Sequence, residues 1–244
     1  MNVKNKENSK EKFDQHFMIN QELLKRIVHY AKLSKDNIVL EIGPGKGALT
    51  KNLIKKANII AIELDKDLFS DLKKRFSNNI KIMQGNALSL IGKLHFDKIV
   101  ANIPYSISEP LLRKILTIQP KIVVFTVGEN FVEYINNNLL LHNIYSVEVL
   151  ENVSKTDFDP IPKTDSVVIR LILKNNEISL IFQDLLKQKD KKLKNALIKT
   201  LEAKLTKNQL REKIKDFNFM NKSILNIQNK DLEELYKFIK TTYL

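Results

Sequence analysis

The sequence predicts a mixed α/β domain with a mainly parallel sheet, followed by a small all-helical C-terminal domain. Five short apolar runs alternate with helix-like segments between residues 37 and 127. This alternation is typical of parallel βαβ units whose sheet is covered on both faces. Two more strand-like runs follow without a clear helix between them, which predicts an antiparallel end to the sheet. Residues 178–244 show helical spacing, with no strand-like run and no proline.

Local patterns predict the individual elements. Residues 20–31 contain LLKRIVHYA, whose apolar spacing predicts an amphipathic helix. The seven predicted strands are NIVLEI (37–42), NIIAIEL (58–64), IKIMQG (80–85), DKIVAN (97–102), KIVVFTV (121–127), YSVEVLENV (145–153) and DSVVIRLIL (165–173). Further helices are predicted in ALTKNLIKKA (48–57), LIFQDLLKQ, KLKNALIKTLEAKL and DLEELYKFIK. We therefore expect a flexible basic arm at 1–12, an α/β domain at 13–175 and a helical domain at 176–244.

Composition narrows the class of protein. Of the 244 residues, 43% are hydrophobic, which is enough for a substantial core. None is cysteine, so disulfides and thiolate chemistry are excluded. No apolar run reaches about 18 residues, and we expect a cytoplasmic protein without a membrane partner. The net charge of +13 favours a polyanionic partner such as nucleic acid, although the lysine-rich composition of an AT-rich genome also explains it.

A glycine cluster follows the first predicted strand, in LEIGPGKGALT (40–50). Gly43, Gly45 and Gly47 stand between a strand and a helix, where glycine lets backbone N–H groups approach a ligand. The cluster lacks the G-K-[ST] of a P-loop. Its third glycine also comes one residue too early for the dinucleotide fingerprint. By itself, the cluster is equally typical of a structural turn.

Polar residues end the next strands as well. Glu63 ends the second strand, 20 residues after Gly43, where a carboxylate can accept both hydroxyls of a ribose. The alternative is a solvated strand end in the charged stretch ELDKD. Asn86 follows the third strand, and its amide can bind the exocyclic amine of an adenine. Because carboxyl ends of parallel strands meet at one edge of a sheet, these residues predict a nucleoside site there.

The fourth strand delivers Asn102-Ile103-Pro104-Tyr105 to the same edge. An adenine amine is a poor nucleophile, and acceptors aimed at its N–H bonds stabilise the positive charge that develops on attack. The side-chain oxygen of Asn102 is one such acceptor, and the Ile103 carbonyl, held by Pro104, is the other. Tyr105 offers a flat face for an unstacked base. The chain has no His-Asp, Cys-His or metal-ligand constellation, so we expect no metal and an electrophile reactive in itself, such as a sulfonium methyl donor.

Five segments together resemble the rRNA adenine dimethyltransferases, the family of KsgA, its Dim counterparts and the Erm enzymes. They are FDQHFMIN, LEIGPGKGALT, IELD, ANIPYSIS and FDPIPKTDSVVIRL. The resemblance implies a Rossmann-like S-adenosylmethionine-dependent methyltransferase sheet. It also implies cofactor contacts at His16, Met18, Gly43, Gly45, Glu63, Asn86 and Asn102. ENFVEYI resembles a family segment that makes Phe131 a candidate second aromatic against the target base, although its spacing also fits a core residue.

Within this family, SEPLL after N-I-P-Y and IGPGKGALT are more similar to the KsgA/Dim branch. That branch implies transfer of two methyl groups to adenine N6 near the 3′ end of small-subunit rRNA, a role in ribosome biogenesis, and the small subunit or its precursor as partner of a monomer. The alternatives are an Erm-type enzyme acting on large-subunit rRNA and a non-catalytic RNA-binding assembly or transcription factor of the same fold. The intact N-I-P-Y argues against the non-catalytic factor.

Three positions depart from the family pattern. Asn86 stands where the family usually has Asp, and Asp14 replaces a usual Gly before Gln15. The stretch after Phe131 lacks the family's basic residue and is shortened. We therefore expect a weaker adenine contact and altered RNA contacts near the site.

A basic cluster in the helical domain is the predicted RNA contact. Residues 187–222 contain twelve Lys or Arg against four acidic residues. This excess is more concentrated than the charge of the whole chain, although a solvated helical surface in a lysine-rich protein would look the same. Lys191, Lys192 and Lys194 are the residues that we expect to bind phosphates.

Overall fold

The computed structural model describes residues 15–76 and 78–243. The strands are β1 (Phe17–Met18), β2 (Ile38–Ile42), β3 (Asn58–Glu63), β4 (Ile80–Gln84), β5 (Lys98–Asn102), β6 (Ile122–Gly128), β7 (Tyr145–Val153), β8 (Phe158–Asp159) and β9 (Ser166–Leu173). The helices are α1 (Gln21–Tyr30), α2 (Thr50–Leu53), α3 (Lys66–Phe76), α4 (Ala87–Leu90), α5 (Ser108–Ile118), α6 (Phe131–Asn136), α7 (Leu139–Ile144), α8 (Glu177–Lys187), α9 (Leu193–Leu201), α10 (Lys207–Lys213) and α11 (Asn229–Tyr243).

Seven strands form one sheet in the order β4-β3-β2-β5-β6-β9-β7. The pairs from β4 through β6 are parallel, and β9 runs antiparallel to β6. The predicted parallel sheet with an antiparallel strand near one end is therefore confirmed. Central strands are mainly apolar because both faces of the sheet are covered, and Val39, Leu40 and Val100 are fully buried.

The helix predicted at 20–31 forms as α1, with Asn20 as its N-cap and Ala31 as its C-cap. The helix predicted over 48–57 is much shorter, because only Thr50–Leu53 is α-helical. Residues 54–56 after it form turns rather than a continued helix. The apolar spacing of that stretch is explained by burial of Leu53 and Ala57 against the core.

A separate two-stranded sheet holds the segment that precedes α1. Phe17 pairs with Asp159 and Met18 with Phe158, in antiparallel register. The Ile19 N–H extends the contact by donating to the Asp157 carbonyl at 2.8 Å. This two-stranded sheet was not predicted from the sequence.

The chain divides into two compact units. Within the described residues, the α/β unit comprises 15–132 and 147–172, and the helical unit comprises 133–146 and 173–243. The helical unit thus also contains α7, which lies in the segment that the sequence analysis assigned to the α/β domain. The predicted division at 175/176 stays a prediction. The predicted basic arm at 1–12 and Asp14 lie outside the described residues.

The helical unit has its own apolar core. Phe182 and Leu185 of α8, Leu197 of α9 and Leu235 of α11 are fully buried. The helix α10 was not predicted, although Thr206 and Gln209 form a capping box at its start.

Candidate active site

A cavity of about 620 Å³ lies in the α/β unit, at the carboxyl ends of β2, β3 and β5. Ligands of open α/β sheets bind at this edge. Nine of the residues predicted from sequence line the cavity, namely His16, Met18, Gly43, Gly45, Glu63, Asn86, Asn102, Pro104 and Tyr105. Phe131 is not among the lining residues. The α/β unit therefore brings together every predicted cofactor residue and three of the four predicted catalytic residues.

The glycine turn follows β2 and borders the cavity. Gly43 and Gly45 both have positive φ, +64° and +58°, which favours glycine. At Gly45 a side chain is also excluded by contact, because a Cβ there would lie 2.8 Å from the ring of Phe17. At Gly43 the corresponding space is open, so the cavity reaches the backbone at that point.

Glu63 at the end of β3 is tied to the glycine turn. One carboxylate oxygen, Oε2, accepts a hydrogen bond from the Gly45 N–H at 2.9 Å, and Oε1 accepts one from the Asp65 N–H at 2.9 Å. Burial raises the pKa of the Glu63 carboxyl, and these hydrogen bonds oppose that rise because they favour the carboxylate. Each carboxylate oxygen has a second lone pair available to a ligand.

Glu41 is a second buried carboxyl on the cavity wall, and the sequence analysis missed it. Its side chain is 1% exposed, and Oε2 accepts a hydrogen bond from the Thr50 hydroxyl at 2.7 Å. Oε1 has no hydrogen-bond partner among the described residues. Burial raises the pKa of the Glu41 carboxyl to about 8. An acidic residue inside the apolar run NIVLEI was the available sequence signal.

The side-chain amide of Asn102 has a fixed orientation. Its Nδ2 donates to the backbone carbonyl of His16 at 3.0 Å. A carbonyl oxygen can only accept a hydrogen bond, so the amide nitrogen of Asn102 must be the atom that faces His16. The amide oxygen, Oδ1, therefore points the other way and is available as an acceptor. The His16 ring is held in turn, because its Nδ1 donates to the Pro160 carbonyl at 2.8 Å.

Tyr105 opens a 3₁₀ turn, Tyr105–Ile107, directly after Pro104. The Pro104 carbonyl accepts the Ile107 N–H at 3.1 Å, so the turn itself uses this carbonyl. The Tyr105 hydroxyl shares a hydrogen bond with the Ser166 hydroxyl at 2.7 Å. Its ring is stacked with His16 at a centroid distance of 6.5 Å.

Two further predicted residues have structural roles at the cavity. Asn86 is the N-cap of α4, and its Oδ1 accepts the Leu88 N–H at 2.9 Å. Met18 is buried within β1. Both line the cavity, so neither role excludes contact with a ligand.

The cavity wall contains two aromatic residues that were not predicted from the sequence. Phe131 begins α6 and does not line the cavity. Phe17 and Phe158 do, together with Tyr105. Phe158 stands in FDPIPKTDS, a segment that the sequence analysis used only for its resemblance.

The basic residues of the helical unit differ in their partners. Ion pairs with nearby acids engage Lys187 with Asp184 at 2.7 Å and Lys189 with Asp190 at 3.1 Å. Among the described residues, no salt bridge involves Lys191, Lys192 or Lys194, which we call the 191–194 cluster. Lys191 and Lys192 are exposed and Lys194 is half-buried at the start of α9. Lys191 Nζ donates to the side-chain oxygen of Gln188 at 3.1 Å.

Two features are absent from the described residues. No helix there has both the length and the apolar character needed to cross a membrane. No group of three or more His, Cys, Asp or Glu side chains in that part of the chain could hold a metal ion.

The sequence model of the ribosomal RNA adenine dimethylase family matches residues 6–240. The chain belongs to this family. The predicted family membership, and with it an S-adenosylmethionine-dependent type of methyltransferase fold, is confirmed. Members of the family are enzymes that methylate adenine in ribosomal RNA, so the prediction of an enzyme is confirmed as well.

Individual family members and solved structures are similar to the chain over most of its length. Ribosomal RNA small subunit methyltransferase A of Mycoplasmopsis pulmonis is 37% identical over 188 residues, covering 69% of this chain and 73% of that protein. The crystal structure of a dimethyladenosine transferase from Plasmodium falciparum has a TM-score of 0.62 and 28% identity, over 92% of this chain and 98% of that one. The 23S rRNA methyltransferase ErmE has the same TM-score at 19% identity, with coverage of 92% and 99%, and shares the fold.

Proposed function

We propose that this protein binds S-adenosylmethionine in the cavity of the α/β unit and transfers methyl groups to N6 of adenines near the 3′ end of small-subunit rRNA. The observation that carries the proposal is the Asn102 amide on the cavity wall, oriented by the His16 carbonyl. Its acceptor oxygen lies beside a cavity that also has a glycine turn and buried carboxyls.

The residues of the cavity suit this cofactor. A cavity of about 620 Å³ is within the usual range for a small-molecule site. Glu63 can accept the ribose hydroxyls through its remaining lone pairs, and Asn86 can hydrogen-bond the adenine edge. The unpartnered Oε1 of Glu41 suits a cationic group, because a buried carboxylate is stabilised by a nearby positive charge. His16, Met18, Gly43 and Gly45 would complete the walls.

When bound, S-adenosylmethionine supplies an electrophilic methyl group on a sulfonium sulfur. The chain's own part is to hold the target amine. Asn102 Oδ1 and the Ile103 carbonyl each accept a hydrogen bond from one N–H group of the amine. These two hydrogen bonds stabilise the positive charge that develops on the nitrogen during the transfer. Such a transfer depends on alignment more than on a strong general base.

Aromatic rings would hold the flipped base. Tyr105 gives one flat face, and stacking on such a ring stabilises an unstacked base by about 1–3 kcal/mol. Phe158 is a better candidate than Phe131 for a second aromatic contact, because Phe158 lines the cavity and Phe131 does not. Pro104 fixes the turn between the acceptors and the ring.

The 191–194 cluster would bind RNA phosphates, since these lysines have no acid partner among the described residues. Two relatives' names favour the small subunit as the target: the M. pulmonis enzyme and a 32% identical Methanococcoides burtonii protein both carry the small-subunit name. We infer that the protein acts in ribosome biogenesis, in the cytoplasm and as a monomer.

Methyl transfer to separated ribosomal subunits tests the proposal. Small and large subunits lacking adenine dimethylation would each be incubated with labelled S-adenosylmethionine and the protein. We expect label in N6-dimethyladenosine of the small subunit. Label in the large subunit alone would indicate an Erm-type enzyme. RNA binding without transfer to either subunit would indicate a non-catalytic factor.

A further inference from the structure

Tyr105 could hold a base in place only if its own ring is fixed. The residue begins a short 3₁₀ turn, and its side chain is only half-buried. A tyrosine in this setting has rotamer freedom that binding would have to remove. Contacts that remove this freedom in advance improve binding and alignment.

One such contact is the hydrogen bond to Ser166. Ser166 begins β9 and is 1% exposed, so its position is set by the sheet. The two hydroxyl oxygens lie 2.7 Å apart. Because the Ser166 hydroxyl is buried, water cannot replace this hydrogen bond if the Tyr105 ring moves away. The hydrogen bond therefore favours the one orientation of the ring that keeps it.

The second contact is with Gly128, the last residue of β6. Gly128 pairs with Ser166 across the two strands. A Cβ at position 128 would lie 3.4 Å from Cδ1, Cε1 and Cζ of the Tyr105 ring. The three equal distances place this Cβ position over a face of the ring, so one face of Tyr105 lies against the strand where no side chain protrudes.

We propose that Ser166 and Gly128 form a seat that fixes the ring of Tyr105, so that Ser166 and Gly128 are positioning residues for the target base. The proposal rests on the function proposed above and adds to it a specific task for the ends of β6 and β9. The Tyr105 hydroxyl and one ring face then contact the protein, at Ser166 and Gly128, and the opposite ring face contacts the target base.

A double-mutant cycle tests this assignment. Tyr105→Phe, Ser166→Ala and the double variant would be compared in single-turnover methyl transfer to small subunits that lack the modification. Since both single changes remove one hydrogen bond, each should lower the rate by about 2- to 12-fold. The double variant should be no slower than the slower single variant. Additive losses, or a much larger loss for Tyr105→Phe alone, would mean that the hydroxyl contacts the substrate and would overturn the proposal.

Position 128 gives an independent test. Gly128→Ala adds a methyl group at ordinary contact distance and should keep most of the rate. Gly128→Val adds a branched side chain that must displace the ring, and the rate should fall more than with Ser166→Ala. Equal rates for Gly128→Val and the wild type would refute the seat, and this result is decisive even if Ser166→Ala does not fold.

A spectroscopic measurement separates this proposal from the function itself. The six tyrosines would be replaced by 3-fluorotyrosine, and the ¹⁹F signal of Tyr105 would be assigned with Tyr105→Phe. We expect Ser166→Ala to shift and narrow that signal as the ring gains freedom, with the other signals unchanged. If the wild type proves inactive on ribosomal subunits but shows this change, the proposed function fails and the seat stands. An unchanged Tyr105 signal would contradict the seat whatever the activity.

Discussion

The cavity of the α/β unit and the 191–194 cluster of the helical unit hold their polar groups in different ways. In the cavity, polar side chains bond to groups far away in the sequence: Glu63 to the Gly45 amide and Asn102 to the His16 carbonyl. In the helical unit, ion pairs join neighbours on one helix, such as Lys187 and Asp184. The cavity therefore has its geometry before a ligand arrives, whereas the 191–194 cluster offers charge on lysines that have no acidic partner among the described residues.

The largest effect is expected at Asn102. Replacement by Ala removes an acceptor that matters most as charge develops, so the transfer rate should fall by about 100- to 1,000-fold. Affinity for RNA should stay nearly unchanged. Single-turnover kinetics and filter binding would measure the two quantities. Asn58→Ala is the matched control, because Asn58 is an exposed amide at the start of β3, away from the carboxyl ends of the strands where the cavity lies. Loss of RNA binding by Asn102→Ala with normal transfer chemistry would contradict the role of Asn102.

Glu63→Ala should weaken S-adenosylmethionine binding, because the ribose hydroxyls lose their acceptor. Hydrogen bonds to a charged group are worth about 1.5–3 kcal/mol, which corresponds to about a 10- to 150-fold loss of affinity. Calorimetric titration would measure it. Asp67→Ala is the control, because it removes one negative charge from an exposed residue, and this variant should bind S-adenosylmethionine normally. Equal affinities of the two variants for S-adenosylmethionine would remove Glu63 from the site.

Glu41 predicts a pH dependence of stability. Its pKa is about 8 in the folded protein, well above the ordinary value, so the folded state binds the proton more tightly than the unfolded state does. The free energy of unfolding should therefore fall as pH rises through the interval up to about 8, by up to about 1.4 kcal/mol per pH unit from this group.

Glu41→Gln should remove that component of the slope. The free energy of unfolding of the variant, compared with that of the wild type at the same pH, should therefore be higher at pH 8 than at pH 5. Urea titrations at several pH values would measure the difference between variant and wild type. The exposed Glu233→Gln is the control. Parallel pH profiles for the wild type and Glu41→Gln would show that Glu41 is ionised throughout.

The smallest effect concerns the 191–194 cluster. Reversing all three lysines to Glu should weaken RNA binding with little base discrimination and flatten the dependence of log K on log salt by about 2 to 3 units. Lys187, Lys189 and Lys215 already have acidic partners, so reversing them is a control of equal charge. If both triple variants change the slope alike, the total charge of the unit matters and the cluster has no special role.

The sequence predicted the central sheet well because burial on both faces makes each strand a short continuous apolar run. It also predicted the cavity, since residues at strand ends meet at one edge of a parallel sheet whatever their separation. Glu41 was missed because it stands within an apolar run and not after one. Its carboxyl is buried between apolar neighbours, and only the fold reveals that it faces the cavity.

Other features had no periodic signal to detect. The strands β1 and β8 have two residues each, too few for an alternating pattern. The Tyr105–Ser166 hydrogen bond joins residues 61 positions apart. Phe131 was chosen by resemblance of its neighbours, and whether it lines the cavity depends on where the chain turns after β6.

The pairing of β1 with β8 has a consequence for synthesis of the chain. Phe17 lines the cavity and lies early in the sequence, whereas its pairing partner Asp159 is translated 142 residues later. Closing so long a loop is slow compared with forming local contacts. The wall that contains His16, and with it the orientation of the Asn102 amide, is therefore finished only after the whole parallel sheet has been translated. A nascent chain released before Phe158 would hold the glycine turn and Glu63 but could not cover the cavity.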